Sequence, residues 1–119
     1  MTERKINILG EEWKVLEATP KEFPKLAMSV DGYADASIKT IVIDDMTMLS
    51  EKGDPEMAQA DLGQYKKKLI RHELVHAFLE ESGLACETTS EWALNEEMVD
   101  WIAIQLPKIC RACMALGAM

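Results

Sequence analysis

The sequence predicts an α+β domain in which a small antiparallel sheet from the N-terminal half packs on a helix pair from the C-terminal half. Three observations predict it. Between residues 1 and 50, apolar and polar residues alternate and β-branched residues cluster, the pattern of half-buried strands. From residue 54 onward, apolar residues recur at the spacing of amphipathic helices. The chain has 119 residues, enough for one real core but not for two. Residues 1–119 therefore read as a single domain, strand-rich over 1–50 and helical over 54–119.

The elements follow in order. Ile6-Asn7-Ile8-Leu9 alternates, Gly10-Glu11 can turn, and Trp13, Val15 and Leu16 make a second apolar segment. Pro20 and Pro24 then interrupt regular structure. Lys39 to Asp44, KTIVID, is the strongest strand signal in the chain, because β-branched side chains suit a pleated surface. With Gly32-Tyr33-Ala34-Asp35 before it, the segment predicts a hairpin turning near Ala36–Ile38.

Asp54-Pro55 has the form of an N-cap followed by proline at the first helical position. The helical pattern runs to about Ser82, where Gly83 supplies a stop, and Gly63 leaves Gln64–Ser82 as the firm portion. A second helix is expected from the capping-box spacing of Thr88-Thr-Ser-Glu91 to about Leu106, ahead of Pro107. Lys108–Met119 reads as a short third helix.

Composition narrows the function classes. A chain 48% hydrophobic and 29% charged reads as a soluble globular domain. No apolar run approaches bilayer length, and the N-terminus lacks the apolar stretch of a secretory signal. With 21 acidic against 13 basic residues, the net charge is −8. Few counterions would be released on a polyanion, which argues against nucleic acid as a partner. Lys66-Lys67-Lys68 reads as a solvated helix face. Cys86, Cys110 and Cys113 read as reduced thiols, implying a cytoplasmic protein. Cys110 and Cys113 form a C-x-x-C with no second pair to complete a four-thiolate site, and read as structural. Trp92 and Trp101 read as core or helix-contact residues. Met114, Leu116 and Met119 leave oligomerisation open.

Both histidines lie in one stretch, RHELVHAFLEESGL, at positions 72 and 76 with Glu73 between them. On a helix, residues four apart project side by side, so both imidazoles can grip one ion. Glu73 lies about 100° from His72, placed to take a proton from water at the metal rather than to ligate it. Among chains with this many histidines and glutamates, the pattern arises by chance roughly once in 500 sequences, so a metal site is the better reading. His72, Glu73, His76 and Glu80 share one polar arc on an otherwise largely apolar helix. Such an arc needs a reason if the helix is buried on several sides.

A catalytic zinc ion takes a third protein ligand and leaves a fourth position open. With no histidine left, that ligand is a carboxylate or thiolate. In ALNEEMVDWIAIQL, Glu96 and Asp100 flank the apolar stripe one turn apart, while Glu97 points farther away. Glu96 is thus the leading ligand, with Glu97, Asp100, Glu80 or a thiolate as alternatives. Asp100 is placed to fix a histidine through its second ring nitrogen.

His72-Glu-Leu-Val-His76, followed by Asn95-Glu96-Glu-Met-Val-Asp100, resembles the gluzincin metallopeptidases, in which Asn-Glu-x-x-x-Asp carries the third zinc ligand. The strand-rich first half is also similar to the small ImmA/IrrE-like and minigluzincin domains of bacteria and their phages. Against their Glu-x-x-Ala-Asn-x-Phe-Ala, this chain has Val99, Asp100 and Ile102. The resemblance spans roughly Gly32 to Pro107. It implies a zincin-like fold and a zinc endopeptidase cleaving an extended peptide beside the Thr40–Asp44 strand, with a regulatory protein as the favoured substrate class. Glu73 would be the catalytic base. The oxyanion would need Tyr33, Tyr65 or Arg71, of which Tyr33, leading the hairpin, is the choice. A protein that keeps zinc as a structural staple and docks a partner is the alternative; an iron- or manganese-loaded hydrolase is a third.

Overall fold

The computed structural model describes residues 1–28, 30–48, 61–87 and 91–119. The expected helix start at Asp54-Pro55 and the Thr88–Ser90 part of the expected capping box lie outside them. Strand β1 (Thr2–Ile8) and strand β2 (Glu11–Ala18) form an antiparallel hairpin. Its turn uses positive φ at Leu9 and at Gly10, where glycine meets no steric penalty. Strand β3 (Gly32–Asp35) and strand β4 (Thr40–Asp44) form a second antiparallel hairpin, turning where the sequence places it.

The expected wholly antiparallel sheet is corrected. The strand order is β1-β2-β4-β3, and β2 pairs with β4 in parallel. The reason lies in β4, whose five residues are all buried. A strand buried on both faces is at home in a sheet interior, and the β3–β4 hairpin leaves one of its edges for β2. Ile41 and Ile43 join Ile8, Trp13 and Val15 on one face. Val42 joins Leu16 and Leu26 on the other, capped by the 3-10 turn Pro24–Ala27.

Helix α1 (Leu62–Glu81) lies on the Ile41–Ile43 face, contributing Leu69 and Ala77 with Ile70 and Leu74 beside them. It starts where Asp61 accepts from the Gln64 N–H at 3.0 Å, a side-chain N-cap. Phe78, on the same helix, is exposed. The tyrosine hydroxyl of Tyr65 donates to Asp31 near the N-terminal end of α1. At the other end Glu81 accepts from Trp13 Nε1 and from Lys39 Nζ, both at 3.2 Å. Both ends of the helix are thereby tied to the sheet.

Gly32 sets how closely β3, β4 and α1 approach. A Cβ there would lie 3.0 Å from Ile43 Cδ1, 3.2 Å from the Val42 carbonyl oxygen and 3.4 Å from Leu69 Cδ1. Gly32→Ala is expected to lower stability by about 1–3 kcal/mol, the usual cost of overpacking, read as a drop in the denaturant midpoint.

The one-turn helix α2 (Leu84–Glu87) and a 3-10 turn at Trp92–Leu94 lead to helix α3 (Glu96–Ala115). This differs from expectation at both ends. Helix α3 begins at Glu96, capped by Asn95 Oδ1 accepting from the Met98 N–H at 2.9 Å. It does not stop before Pro107, and the expected third helix is its continuation. Proline has no N–H to give the carbonyl four residues back, here Ala103, which is fully buried. An unpaired buried carbonyl costs about 1–3 kcal/mol. Arg71 Nε of α1 donates to it at 2.6 Å, so the break is mended from a neighbouring helix. Among the described residues, no helix is long and apolar enough to cross a membrane.

Candidate metal centre

Helices α1 and α3 run antiparallel where they meet, as shown by Lys68 beside Asp100 and His76 beside Glu96. Along that seam the two histidines of α1 face the first turn of α3. His72 Nε2 lies 2.9 Å from Glu96 Oε2, and His76 Nε2 lies 3.1 Å from Glu96 Oε1. The two Nε2 atoms are 3.2 Å apart, with the rings edge to face. Donor atoms on arms of about 2.0–2.1 Å around a tetrahedral ion stand roughly 3.3 Å from one another. The three donors therefore fit zinc without rearrangement, and two neutral nitrogens with one carboxylate are a donor set zinc accepts.

His72 has a second partner. Its Nδ1 lies 3.2 Å from Asp100 Oδ1, and a proton held there, donated to the carboxylate, would free Nε2 to hold a metal. Lys68 Nζ, 3.4 Å from the same oxygen, keeps Asp100 company as a counter-charge. The imidazoles are mostly covered, with side chains 15% and 18% exposed, whereas the Glu96 side chain is 70% exposed. The centre is thus built into the protein on the α1 side and open to solvent on the α3 side.

Glu73 is 5% exposed. It has no hydrogen-bond partner among the described residues, yet none of its oxygens is sealed from solvent, and it lines the same cleft as the histidines. Burial pushes its carboxyl above the ordinary range. The neighbouring His76 and His72 pull it back, and Glu96 adds to the rise. A carboxyl so placed is a better proton acceptor than an exposed one. The cleft, of about 570 Å³, runs between α1 and β3 from Tyr65 and Lys68 past the histidines to Glu80 and Leu94.

The remaining candidates separate clearly. Glu97 lies on another face of α3, in a groove with Trp92, Met98 and Trp101. Trp92 and Trp101 are both exposed rather than core. Glu80 lines the cleft but is not among the three converging donors. Cys110 and Cys113 are free, and Cys110 sits fourteen residues along α3 from Glu96, about 21 Å of helix, too far to supply a thiolate.

Tyr33 is misplaced for the role expected of it. Alternation along β3 sends Ala34 to the α1 face and Tyr33 to the other, where its ring packs with Leu16, Leu26 and Val42. Lys25 Nζ lies 4.6 Å from the ring centroid. Although Tyr33 touches the cleft rim, its ring belongs to the opposite side of the sheet. Tyr65 lines the cleft directly, with its phenol held well above the ordinary range by burial and by Asp31. Sequence reasoning missed the Tyr65–Asp31 and Arg71–Ala103 contacts. Only the second left a trace, in Pro107. Compared with known family models, curated proteins and solved structures, the chain matches none.

Proposed function

We propose that this protein is a zinc-dependent endopeptidase with a zincin-like arrangement, as its resemblance to the gluzincins implies. One observation carries the reading: His72, His76 and Glu96 converge to within about 3 Å of one another beside the buried Glu73, in one cleft. Zinc, when bound, supplies Lewis acidity that polarises a carbonyl and makes water nucleophilic at neutral pH. Glu73 accepts the proton of the attacking water and returns it to the leaving amine. Asp100 holds His72 in the tautomer that presents Nε2.

The substrate-holding strand is β3 rather than Thr40–Asp44. Both edges of β4 are occupied by β2 and β3, whereas β3 is one of the two outer strands among the described residues, and it lines the cleft. An extended peptide would pair its main chain along Gly32–Asp35, with a regulatory protein as the substrate class. Of the residues considered for the oxyanion, Arg71 has its Nε engaged at Ala103 and Tyr33 faces away. Tyr65 lines the cleft, and its hydroxyl donates to Asp31.

The test is cleavage of a broad peptide library by the purified protein, with elemental analysis of the same preparation. Cleavage that a chelator removes and zinc restores supports the reading. Stoichiometric zinc with no cleavage favours the zinc-stapled interaction protein instead. Iron or manganese in place of zinc redirects it to another hydrolase, and no bound metal ends it.

A further inference from the structure

We propose that Arg71, acting on the gap that Pro107 opens in α3, is the positioning residue that brings Glu96 and Asp100 to the histidines. The inference rests on the proposed metal centre for its consequence, but not for its geometry. Pro107 lies inside α3 and removes the N–H that would have bonded the Ala103 carbonyl. Arg71 Nε takes that place at 2.6 Å.

The placement matters. Arg71 is adjacent to His72, while Ala103 is one turn from Asp100 and two turns from Glu96, on the same side of α3. A main-chain oxygen cannot swing aside as a side chain can, so a bond to it constrains both the rotation and the axial position of the helix. Slipping α3 by a single residue would move it about 1.5 Å and turn it about 100°, carrying Glu96 off the imidazoles. Among the described residues, the other cation reaching α3 is Lys68 at Asp100, a partly exposed pair at 3.4 Å, of a kind that holds little. The guanidinium is a planar, rigid donor and always charged, and its acceptor is buried.

The two roles of Arg71, satisfying a carbonyl and setting the helix register, come apart in a double variant. Pro107→Ala restores the helix's own N–H to Ala103, so Arg71→Leu in that background leaves no orphaned carbonyl. Thermal melting, Co²⁺ affinity and the ring signals of ¹⁵N-histidine-labelled protein are compared for wild type, Arg71→Leu, Pro107→Ala and the double variant. With only two histidines in the chain, two ring systems are read. In the double variant, melting is expected to return to near the Pro107→Ala value. Cobalt affinity is expected to stay at least about tenfold below wild type, the scale of losing an outer-sphere contact. His72 is expected to lose the Nδ1–H form that the Asp100 contact favours. If Pro107→Ala restores the affinity and the tautomer as well, Arg71 only satisfies the carbonyl and the proposal is overturned. Should wild type bind no cobalt, the metal reading fails by itself. The His72 tautomer in the metal-free proteins then decides this inference alone, upheld if the double variant loses it and overturned if it is kept.

Discussion

Replacing Glu73 with glutamine is expected to lower peptide cleavage by roughly 10²–10⁴-fold, the range for losing a general base, while zinc content stays at the wild-type level. Glutamine keeps the shape of the side chain and cannot accept the proton. It disturbs no ligand, because Glu73 is not among the three converging donors. Stability makes a second readout. Burial raises the Glu73 pKa in the folded protein, so the folded state binds its proton more tightly than the unfolded chain. The stability tied to that proton is fully present below the unfolded pKa and is lost as pH rises through the folded one. Metal-free Glu73→Gln should therefore match or exceed wild type in denaturant midpoint near neutral pH, and should lack that part of the pH slope. Retention of cleavage by this variant would remove Glu73 from the mechanism.

Glu96→Ala is expected to weaken zinc binding by at least about 100-fold, more than the loss of an outer-sphere partner would, while Glu97→Ala leaves it within about twofold of wild type. The two neighbours make a matched pair. Both are exposed acids in the first turn of α3, so any effect through the helix dipole is shared between them. Only Glu96 has its carboxylate within 3.2 Å of both imidazole nitrogens. A competition titration against a chromophoric chelator measures both. Equal losses would mean that acidity of the turn, and not ligation, accounts for the affinity.

Much of the centre was legible because helical geometry is local. The four-residue spacing of His72 and His76 sets them side by side on any α-helix, whatever surrounds it. The same rule placed Glu96 and Asp100 one turn apart and turned Glu97 elsewhere, and the structure finds Glu96 and Asp100 on the two nitrogens of His72. The hairpin into KTIVID was equally readable from its β-branched run and its turn. Pro107 misled for a physical reason. The rule that proline ends a helix assumes that the freed carbonyl finds no other donor, and here Arg71, thirty-two residues away in sequence, supplies one. Tyr33 misled because strand alternation says which residues share a face but not which face meets α1.

The sequence by itself determined the histidine pair, the acid between them, the acids one turn apart on a second helix and the α+β class, all products of periodicities that act over a few residues. Tertiary structure decided what those periodicities cannot reach: the parallel pairing of β2 with β4, the burial of the strand thought to meet substrate, and the reach of α3 through its proline. It also decided that Glu96, of several acids, stands against the imidazoles. Each of these depends on contacts between segments distant in the chain, where a satisfied carbonyl or a covered strand edge outweighs local preference.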